Sequence, residues 1–193
     1  MERTAKIARK TLETEIFLEV NIDGTGDYKI DSGIPFLDHM LTLFAVHSSF
    51  DLNLKAKGDI EVDYHHSVED IGICLGKAIY KALDDKKGIE RYGYVVIPME
   101  ETLVEVCLDI CNRPYLVFNV EFLKDKIGNF DTELIEEFMR AFCVNAGITL
   151  HINMRYGKNS HHIAEAIFKA LARALKIAVK ITNTKIPSSK GSL

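Results

Sequence analysis

Residues 65–83 read HHSVEDIGICLGKAIYKAL, and residues 161–179 read HHIAEAIFKALARALKIAV. Each segment begins with His-His-x-x-Glu and continues with apolar residues at three- and four-residue spacing, a pattern that predicts an amphipathic helix. We call residues 65–69 the first motif and residues 161–165 the second motif. The same motif therefore begins two predicted helices in distant parts of one chain of 193 residues.

The repetition extends upstream of both motifs. FLDHMLTLFAVHSSFDLNLKA precedes the first motif and LIEEFMRAFCVNAGITLHINM precedes the second, and each reads as a helix followed by a short strand. Strand-like runs stand in front of these, TEIFLEVNIDG and YKIDSG in one half, GYVVIPME, TLVEVCLDI and YLVFNVEF in the other. The sequence predicts an α+β fold built by internal duplication of a strand-strand-helix-strand-helix unit, with sheets packed against helices.

The boundary between the halves falls in DDKKGIERYG, residues 84–93, which is polar and punctuated by glycine. We expect residues 1–90 to form the first half-repeat and residues 91–193 the second, together making one compact catalytic domain. The segment DGTGD, residues 23–27, predicts a hairpin turn because glycines beside Asp suit positive φ.

The composition of the chain argues against some classes of function. The chain is 47% hydrophobic and 27% charged, with a formal charge of −4 and a pI near 6.0, so it carries no basic footprint for nucleic acid. No apolar run approaches the roughly 20 residues of a membrane span, and the N-terminus is too polar for a signal peptide. We therefore expect a cytoplasmic protein with no nucleic-acid or membrane partner. Reduced, buried thiols are expected at Cys74, Cys107, Cys111 and Cys143.

The two motifs carry metal-binding chemistry. Consecutive helical residues point about 100° apart, so His65 and His66 face different directions while Glu69 lies beside one of them. His161, His162 and Glu165 repeat this spacing. Histidine three or four residues from a carboxylate is the spacing that helices use for metal ligands. A single copy could equally be a solvated helix N-terminus, where Glu favours the dipole, but two copies in matching context favour metal binding.

Symmetry adds one candidate ligand to each half. Aligning FLDH with LIEE places His39 opposite Glu137, each on the helix that precedes a motif. Glu137 could instead be a surface charge beside Glu136. Mixed nitrogen and oxygen ligands without thiolate suit Mn²⁺, Fe²⁺ or Zn²⁺, and an oxygen-tolerant site favours Mn²⁺.

Several stretches together resemble the imidazoleglycerol-phosphate dehydratase family of histidine biosynthesis. They are GIPFLDHML, HHSVEDIGICLGKA, GIERYG, NRPYL, GITLHI, NSHHIAEAIFKALARAL and IPSSKG, in the family's order, and the resemblance runs from Ala8 to Leu193. The chain resembles the stand-alone form of the family, which has no phosphatase domain. The resemblance implies a duplicated α+β chain assembled into a 24-subunit shell, with two Mn²⁺ per active site and ligands from more than one subunit.

The resemblance also implies a ligand set. The matching positions are His39, His65, His66, Glu69, His161, His162 and Glu165. The eighth family ligand is usually a histidine, and Glu137 holds that position here, so an oxygen donor replaces a nitrogen donor. Leu43 and Asn112 are further departures; Asn112 replaces a glycine and is the substitute that best tolerates the left-handed conformation.

The family's reaction removes water from imidazole glycerol phosphate to give imidazole acetol phosphate. The proton that is lost sits on an unactivated carbon, so the ring must accept electrons. Two metals on the two ring nitrogens would stabilise an imidazolate that expels hydroxide through a diazafulvene-like intermediate. Glu15 matches the family's acid–base position, although it could be an ordinary exposed strand glutamate. His47 could hold a substrate hydroxyl, although an isolated histidine is more often structural.

The substrate phosphate requires cationic donors. Arg91 and Arg113 match the family's phosphate clamp, and guanidinium geometry suits bidentate contact. Ser188 and Lys190 in the tail would close the other side, and Lys169 is a further candidate. Without the resemblance the tail would read as a frayed terminus.

Two other functions remain open from the residues alone. A dimetal phosphoesterase would also place metals near an arginine-lined pocket, and it would release inorganic phosphate rather than form a ketone. A metal-stapled structural or storage cage would assemble normally and turn over nothing.

Overall fold

A computed structural model describes residues 3–193, so Met1 and Glu2, at the start of the predicted first half-repeat, lie outside the described residues. The first half runs through β1 (Thr4–Lys10), β2 (Thr14–Asn21), β3 (Tyr28–Asp31), α1 (Pro35–Ser48), β4 (Asp51–Gly58) and α2 (His65–Ala82). Its four strands form one sheet in the order β1-β2-β4-β3, in which only β3 runs parallel to its neighbour.

The second half repeats this plan. It runs through β5 (Tyr92–Met99), β6 (Thr102–Ile110), β7 (Tyr115–Asn119), β8 (Lys126–Ile127), β9 (Phe130–Asp131), α3 (Glu133–Ala146), β10 (Ile148–Tyr156) and α4 (Ser160–Ala178). The sheet order β5-β6-β10-β7, with β7 parallel to β10, matches the first sheet strand for strand. The short β8–β9 hairpin is an addition. The predicted α+β class and its internal duplication are confirmed.

The structure differs from the sequence prediction at two places in the first half. Strand β1 was not predicted, because it is an edge strand whose only fully buried side chain is Ala5. The carboxylate of Asp51 accepts backbone N–H groups from residues 25–27, so DGTGD is a turn. It joins β2 to β3, however, and β4 lies between those strands. The hairpin prediction was therefore wrong.

Each half exchanges one helix with the other. Helix α2 covers the first sheet through β1 and β2, and α4 covers the second sheet through β5 and β6. Helix α1, however, packs mainly on α4, and α3 packs mainly on α2. The shared core lies between these layers, with Phe44, Phe138 and Phe168 fully buried. As a consequence, side chains on α1 lie beside side chains on α4, from opposite halves of the chain.

Two glycines allow α3 to approach α2 closely. A Cβ at Gly76 would lie 2.6 Å from the carbonyl oxygen of Phe142, and one at Gly72 would lie 2.9 Å from that of Phe138. The corresponding positions of α4 are Phe168 and Ala172. The two helix pairs are thus related by topology but differ in how closely they pack.

Among the described residues all four cysteines are free, and three are buried while Cys107 is half-buried. Burial raises the pKa of Cys74 and Cys143 to about 11, so both thiols stay protonated at neutral pH. No helix in residues 3–193 combines the length and apolar character needed to cross a membrane.

Candidate metal centre and active site

The second motif occupies the first two turns of α4. The side chain of Asn159 caps the helix by accepting the backbone N–H of His161 at 3.0 Å. This cap fixes the start of the helix, so His161 and His162 lie in its first turn. Glu165 follows one turn later on the same face as His161.

Three side chains from two helices converge at this place. Oε1 of Glu165 lies 3.0 Å from Nε2 of His161 and 3.1 Å from Nε2 of His39. His39 belongs to α1, and the packing of α1 on α4 brings it there. Ligand atoms bound to one divalent ion at about 2.0–2.2 Å lie roughly 3 Å apart, so two imidazoles and a carboxylate in this arrangement fit such an ion.

Glu165 is ionised in this environment. The residue is only 8% exposed, and burial alone would raise its pKa. Hydrogen bonds from Lys169, His39 and His161, together with the charge of Lys169, outweigh burial and lower the pKa of Glu165 to about 2. Nζ of Lys169 lies 2.5 Å from Oε2 of Glu165. The carboxylate is therefore in the form that a metal ligand requires.

His162 faces a second acidic group. Its Nδ1 lies 2.7 Å from Oε2 of Glu101 and 4.0 Å from the exposed carboxylate of Glu100. The hydrogen bond from His162 and the backbone N–H of Asn159 lower the pKa of Glu101 to about 2. The bond to Glu101 in turn raises the pKa of His162.

The first motif has the same internal geometry. The rings of His65 and His66 lie 6.3 Å apart at 83°, and those of His161 and His162 lie 6.4 Å apart at 84°. Nδ1 of His66 lies 3.0 Å from Oδ2 of Asp59, a contact that raises the pKa of His66. The helix starts at His65, whose backbone N–H is accepted by Asp63.

The predicted ligands are only partly brought together within one chain. His39, His161 and Glu165 form one group of potential ligands, and His162 joins Glu100 and Glu101 in another. Within residues 3–193 no such group includes the remaining candidates, which are His65, His66, Glu69 and Glu137. Glu137 instead lies 3.8 Å from Arg140 on its own helix. His39 thus lies beside the motif of the other half rather than beside the motif of its own half.

The predicted phosphate-binding residues lie near the C-terminal tail. Asp109 binds Nε of Arg91 at 2.6 Å and lies 3.7 Å from Arg113, which is 67% exposed. Nη1 of Arg91 donates to the carbonyl oxygen of Pro187 at 2.8 Å, next to Ser188. Hydrogen bonding to Asp109 raises the pKa of Arg91.

One member of the predicted phosphate set is placed differently. Lys169 contacts Glu165 and so lies at the metal-ligand group rather than at the arginines. Lys190 is exposed in the tail, where its backbone N–H donates to Ser188.

The predicted acid–base residues lie on different elements. Glu15 is on β2, largely exposed, and pairs with Lys10 at 3.1 Å. His47 lies near the end of α1; burial lowers its pKa, and the positive charges of Lys169 and Arg173 lower it further. His47 is therefore neutral at pH 7 and able to accept a hydrogen bond from a hydroxyl group.

Sequence reasoning missed three carboxylates that contact candidate site residues: Asp59, Glu101 and Asp109. Asp59 and Glu101 lie in connections beside the motif helices, and Asp109 lies in a strand, so no periodic spacing links them to their partners. The one usable signal is a pair of glycines upstream of the motifs, because Gly58 ends β4 and Gly157 directly follows β10, and a Cβ at either position would collide with a neighbouring side chain. The left-handed conformation predicted for Asn112 is confirmed, with φ of 59°.

Comparisons with known proteins agree on one family. The family model for imidazoleglycerol-phosphate dehydratase matches residues 32–175. The imidazoleglycerol-phosphate dehydratase of Syntrophobacter fumaroxidans is 54% identical over 193 residues, covering 99% of this chain and 98% of that protein. That of Pelobacter propionicus is 58% identical over 181 residues, covering 94% of this chain and 93% of that protein.

Solved structures give the same answer. The imidazoleglycerol-phosphate dehydratase of Staphylococcus aureus matches with a TM-score of 0.85 and 46% identity, over 93% of this chain and 99% of that chain. The Pyrococcus furiosus enzyme in complex with (S)-C348 matches with a TM-score of 0.85 and 37% identity, over 97% and 100%. The fold, the imidazole–carboxylate group and these matches define a metal-dependent hydro-lyase.

The chain belongs to the imidazoleglycerol-phosphate dehydratase family and dehydrates imidazole glycerol phosphate in histidine biosynthesis.

Proposed function

We propose that dehydration takes place at a two-metal site whose ligands come from both half-repeats, residues 1–90 and 91–193, of one compact catalytic domain. The observation that supports this most strongly is the convergence of His39, His161 and Glu165. We assign eight side chains as metal ligands: His39, His65, His66, Glu69, Glu137, His161, His162 and Glu165.

We assign Mn²⁺ as the metal, with two ions per active site. The candidate ligands offer imidazole nitrogen and carboxylate oxygen. These donor atoms suit Mn²⁺ better than thiolate sulfur does. The buried thiols of Cys74 and Cys143 are held protonated, so they are unsuited to act as ligands. Glu165, by contrast, is already ionised at neutral pH.

We propose that neighbouring chains complete the site. The second motif has a partner in His39, whereas the first motif forms no three-residue ligand group within the described chain. The outer face of the second sheet exposes Tyr92, Tyr94 and Tyr115, an uncovered aromatic surface of the kind found at subunit interfaces. An assembly of 24 subunits with shared metal sites accounts for both features. Free cysteines are consistent with a cytoplasmic location.

The phosphate of the substrate binds, in this proposal, between the arginines and the tail. Asp109 and Pro187 occupy three of the five guanidinium N–H groups of Arg91. The remaining two, and the exposed guanidinium of Arg113, are available to phosphate oxygens. Ser188 follows Pro187 directly and Lys190 is two residues further on, so the hydrogen bond from Arg91 holds this part of the tail beside the clamp.

The chemistry requires removal of a proton and of a neighbouring hydroxyl group. When bound, the metal ions act as Lewis acids toward the imidazole ring of the substrate. Glu15 takes the proton from the carbon that bears the second hydroxyl, and the hydroxyl next to the ring leaves as water after gaining a proton. The resulting enol becomes the ketone. Neutral His47 orients a substrate hydroxyl, and Lys169 fixes the carboxylate of Glu165.

Metal content measured together with turnover tests this proposal. The protein as purified with Mn²⁺ should hold about two ions per chain and should form a ketone from imidazole glycerol phosphate. Chelation should abolish turnover, and Mn²⁺ should restore it, while circular dichroism shows retained helices throughout. Full turnover by metal-free protein would contradict the proposal.

A further inference from the structure

We propose that Asp59 and Glu101 are positioning residues that hold the second histidine of each motif in the tautomer that metal binding requires. The inference rests on the metal site of the proposed function. Nδ1 of His66 lies 3.0 Å from Asp59, and Nδ1 of His162 lies 2.7 Å from Glu101. The same ring nitrogen of the corresponding histidine therefore faces a carboxylate in both halves.

This contact decides which nitrogen can bind metal. A neutral imidazole carries one N–H, and an ionised carboxylate accepts but cannot donate. The proton therefore resides on Nδ1, and the lone pair is left on Nε2, where a metal ion can take it. Nε2 of His66 lies 3.9 Å from Glu13, too far for a hydrogen bond. In residues 3–193 no hydrogen bond involves Nε2 of His162; its contacts with Glu100 and Glu101 are through Nδ1.

The two carboxylates reach their histidines from non-equivalent places. Asp59 follows Gly58 at the end of β4. The matching residue after Gly157 is Lys158, which offers no side-chain acceptor, and in this half Glu101 comes from the turn between β5 and β6. Duplication of the backbone therefore does not explain the repeated contact, because each half builds it from a different loop.

The surroundings of Asp59 and Glu101 also differ. Oε1 of Glu101 accepts the backbone N–H of Asn159 at 2.8 Å and that of Lys158 at 3.3 Å, so the carboxylate also fixes the start of α4. Oδ1 of Asp59 is buried and has no hydrogen-bond partner in the described chain. A buried unpaired oxygen costs stability, so Asp59 is better explained by its contact with His66 than by a contribution to folding.

Glu101→Gln tests the tautomer directly. The backbone N–H groups of Lys158 and Asn159 require an oxygen acceptor. The amide oxygen of the new Gln side chain should therefore face them, and its NH₂ group should face His162. A donor at Nδ1 reverses the tautomer and puts the proton on Nε2. We expect the ¹⁵N shifts of His162 in histidine-labelled metal-free protein to exchange between the ring nitrogens. Mn²⁺ affinity measured by calorimetry should fall about 10- to 100-fold at one site.

Matched variants separate positioning from charge and folding. Glu61→Gln removes an exposed carboxylate beside Asp59 and should change neither the shifts nor the affinity. Asp59→Asn keeps an oxygen that is free to turn toward His66, so it should retain most Mn²⁺ affinity, whereas Asp59→Ala should lose it.

The outcomes distinguish the positioning role of Asp59 and Glu101 from the proposed metal function on which it rests. An unchanged tautomer and unchanged affinity in Glu101→Gln, with normal thermal unfolding, would overturn the positioning role. Failure of the wild-type protein to bind Mn²⁺, with the proton still on Nδ1, would overturn the proposed metal function instead.

Discussion

The first and second motifs are copies in geometry but not in surroundings. Both open a helix, and both set their adjacent histidine rings nearly perpendicular. In the second half, Glu165 contacts His39, His161 and Lys169, whereas Glu69 in the first half belongs to no ligand group of the described chain. Duplication therefore repeats the motif, and the exchange of helices determines which side chains surround it.

The exchanged helices also carry different candidate ligands. Helix α1 brings an imidazole, His39, to the second motif, whereas α3, which packs on α2, carries a carboxylate, Glu137, that lies 3.8 Å from Arg140 on its own helix. In the proposed site the two metal positions would therefore differ in charge and donor type. Substitutions in the two halves test whether this difference matters for metal binding, catalysis and stability.

The largest effect is expected from removing one carboxylate ligand in either half. Glu69→Gln and Glu165→Gln should each lose about one of two ions per chain and reduce turnover at least about 1000-fold, because one Lewis acid supplies several kcal/mol. Metal analysis and steady-state kinetics check this. Retention of both ions by Glu165→Gln would mean that the observed group is not a metal site.

The halves also differ at the position of the proposed base. Glu15 is the second residue of β2, and the matching residue of β6 is Leu103. Glu15→Gln should therefore lower kcat about 10²- to 10⁴-fold with unchanged metal content and unchanged particle size. Glu19→Gln on the same strand is the control and should retain activity. Near-normal turnover by Glu15→Gln would remove this residue from the mechanism.

The closer contact between α2 and α3 should be sensitive to a single methyl group. Gly76→Ala would place Cβ 2.6 Å from a backbone oxygen and should destabilise the protein by about 1–3 kcal/mol. Ala172→Gly, at the matching position of α4, should cost only about 1 kcal/mol from helix propensity. Denaturation at a fixed protein concentration compares them. An equal loss of unfolding free energy in the two variants would show that the closer packing of α3 on α2 does not affect stability.

The effect confined to the narrowest range of conditions is on the pH dependence of stability. The pKa of Glu165 is about 2 in the folded metal-free protein, against 4.5 ordinarily. A lowered folded-state pKa stabilises the protein above pH 4.5, and this stabilisation is lost as pH falls toward 2. Glu165→Gln should flatten the slope of unfolding free energy in that window, and Glu69→Gln should leave it steep. A slope that survives in Glu165→Gln would contradict this assignment.

The sequence predicted the fold class because the motif helices and their preceding helices are long and strongly periodic. It missed β1, because the inward-facing positions of this edge strand hold only two apolar residues, Ala5 and Ile7, followed by Arg9. It also placed a hairpin at DGTGD, since a turn signal cannot reveal that β4 will insert between the strands it joins.

Spacing likewise selected the residues of both motifs but not their partners. His39 could be recognised by symmetry, yet its position beside Glu165 follows from the packing of α1 on α4, which no local pattern encodes. Asp59 and Glu101 were missed for the same reason, since each reaches its histidine from a connecting loop.

Subunit mixing tests whether neighbouring chains complete the proposed site, with the first motif of one chain joining the second motif of another. Inactive Glu69→Gln and Glu165→Gln proteins are dissociated, mixed in equal amounts and reassembled. Each variant supplies the motif that the other lacks, so shared sites should restore about a quarter of wild-type turnover. Reassembled mixed particles with no recovered activity would show that the two motifs do not form a site between chains.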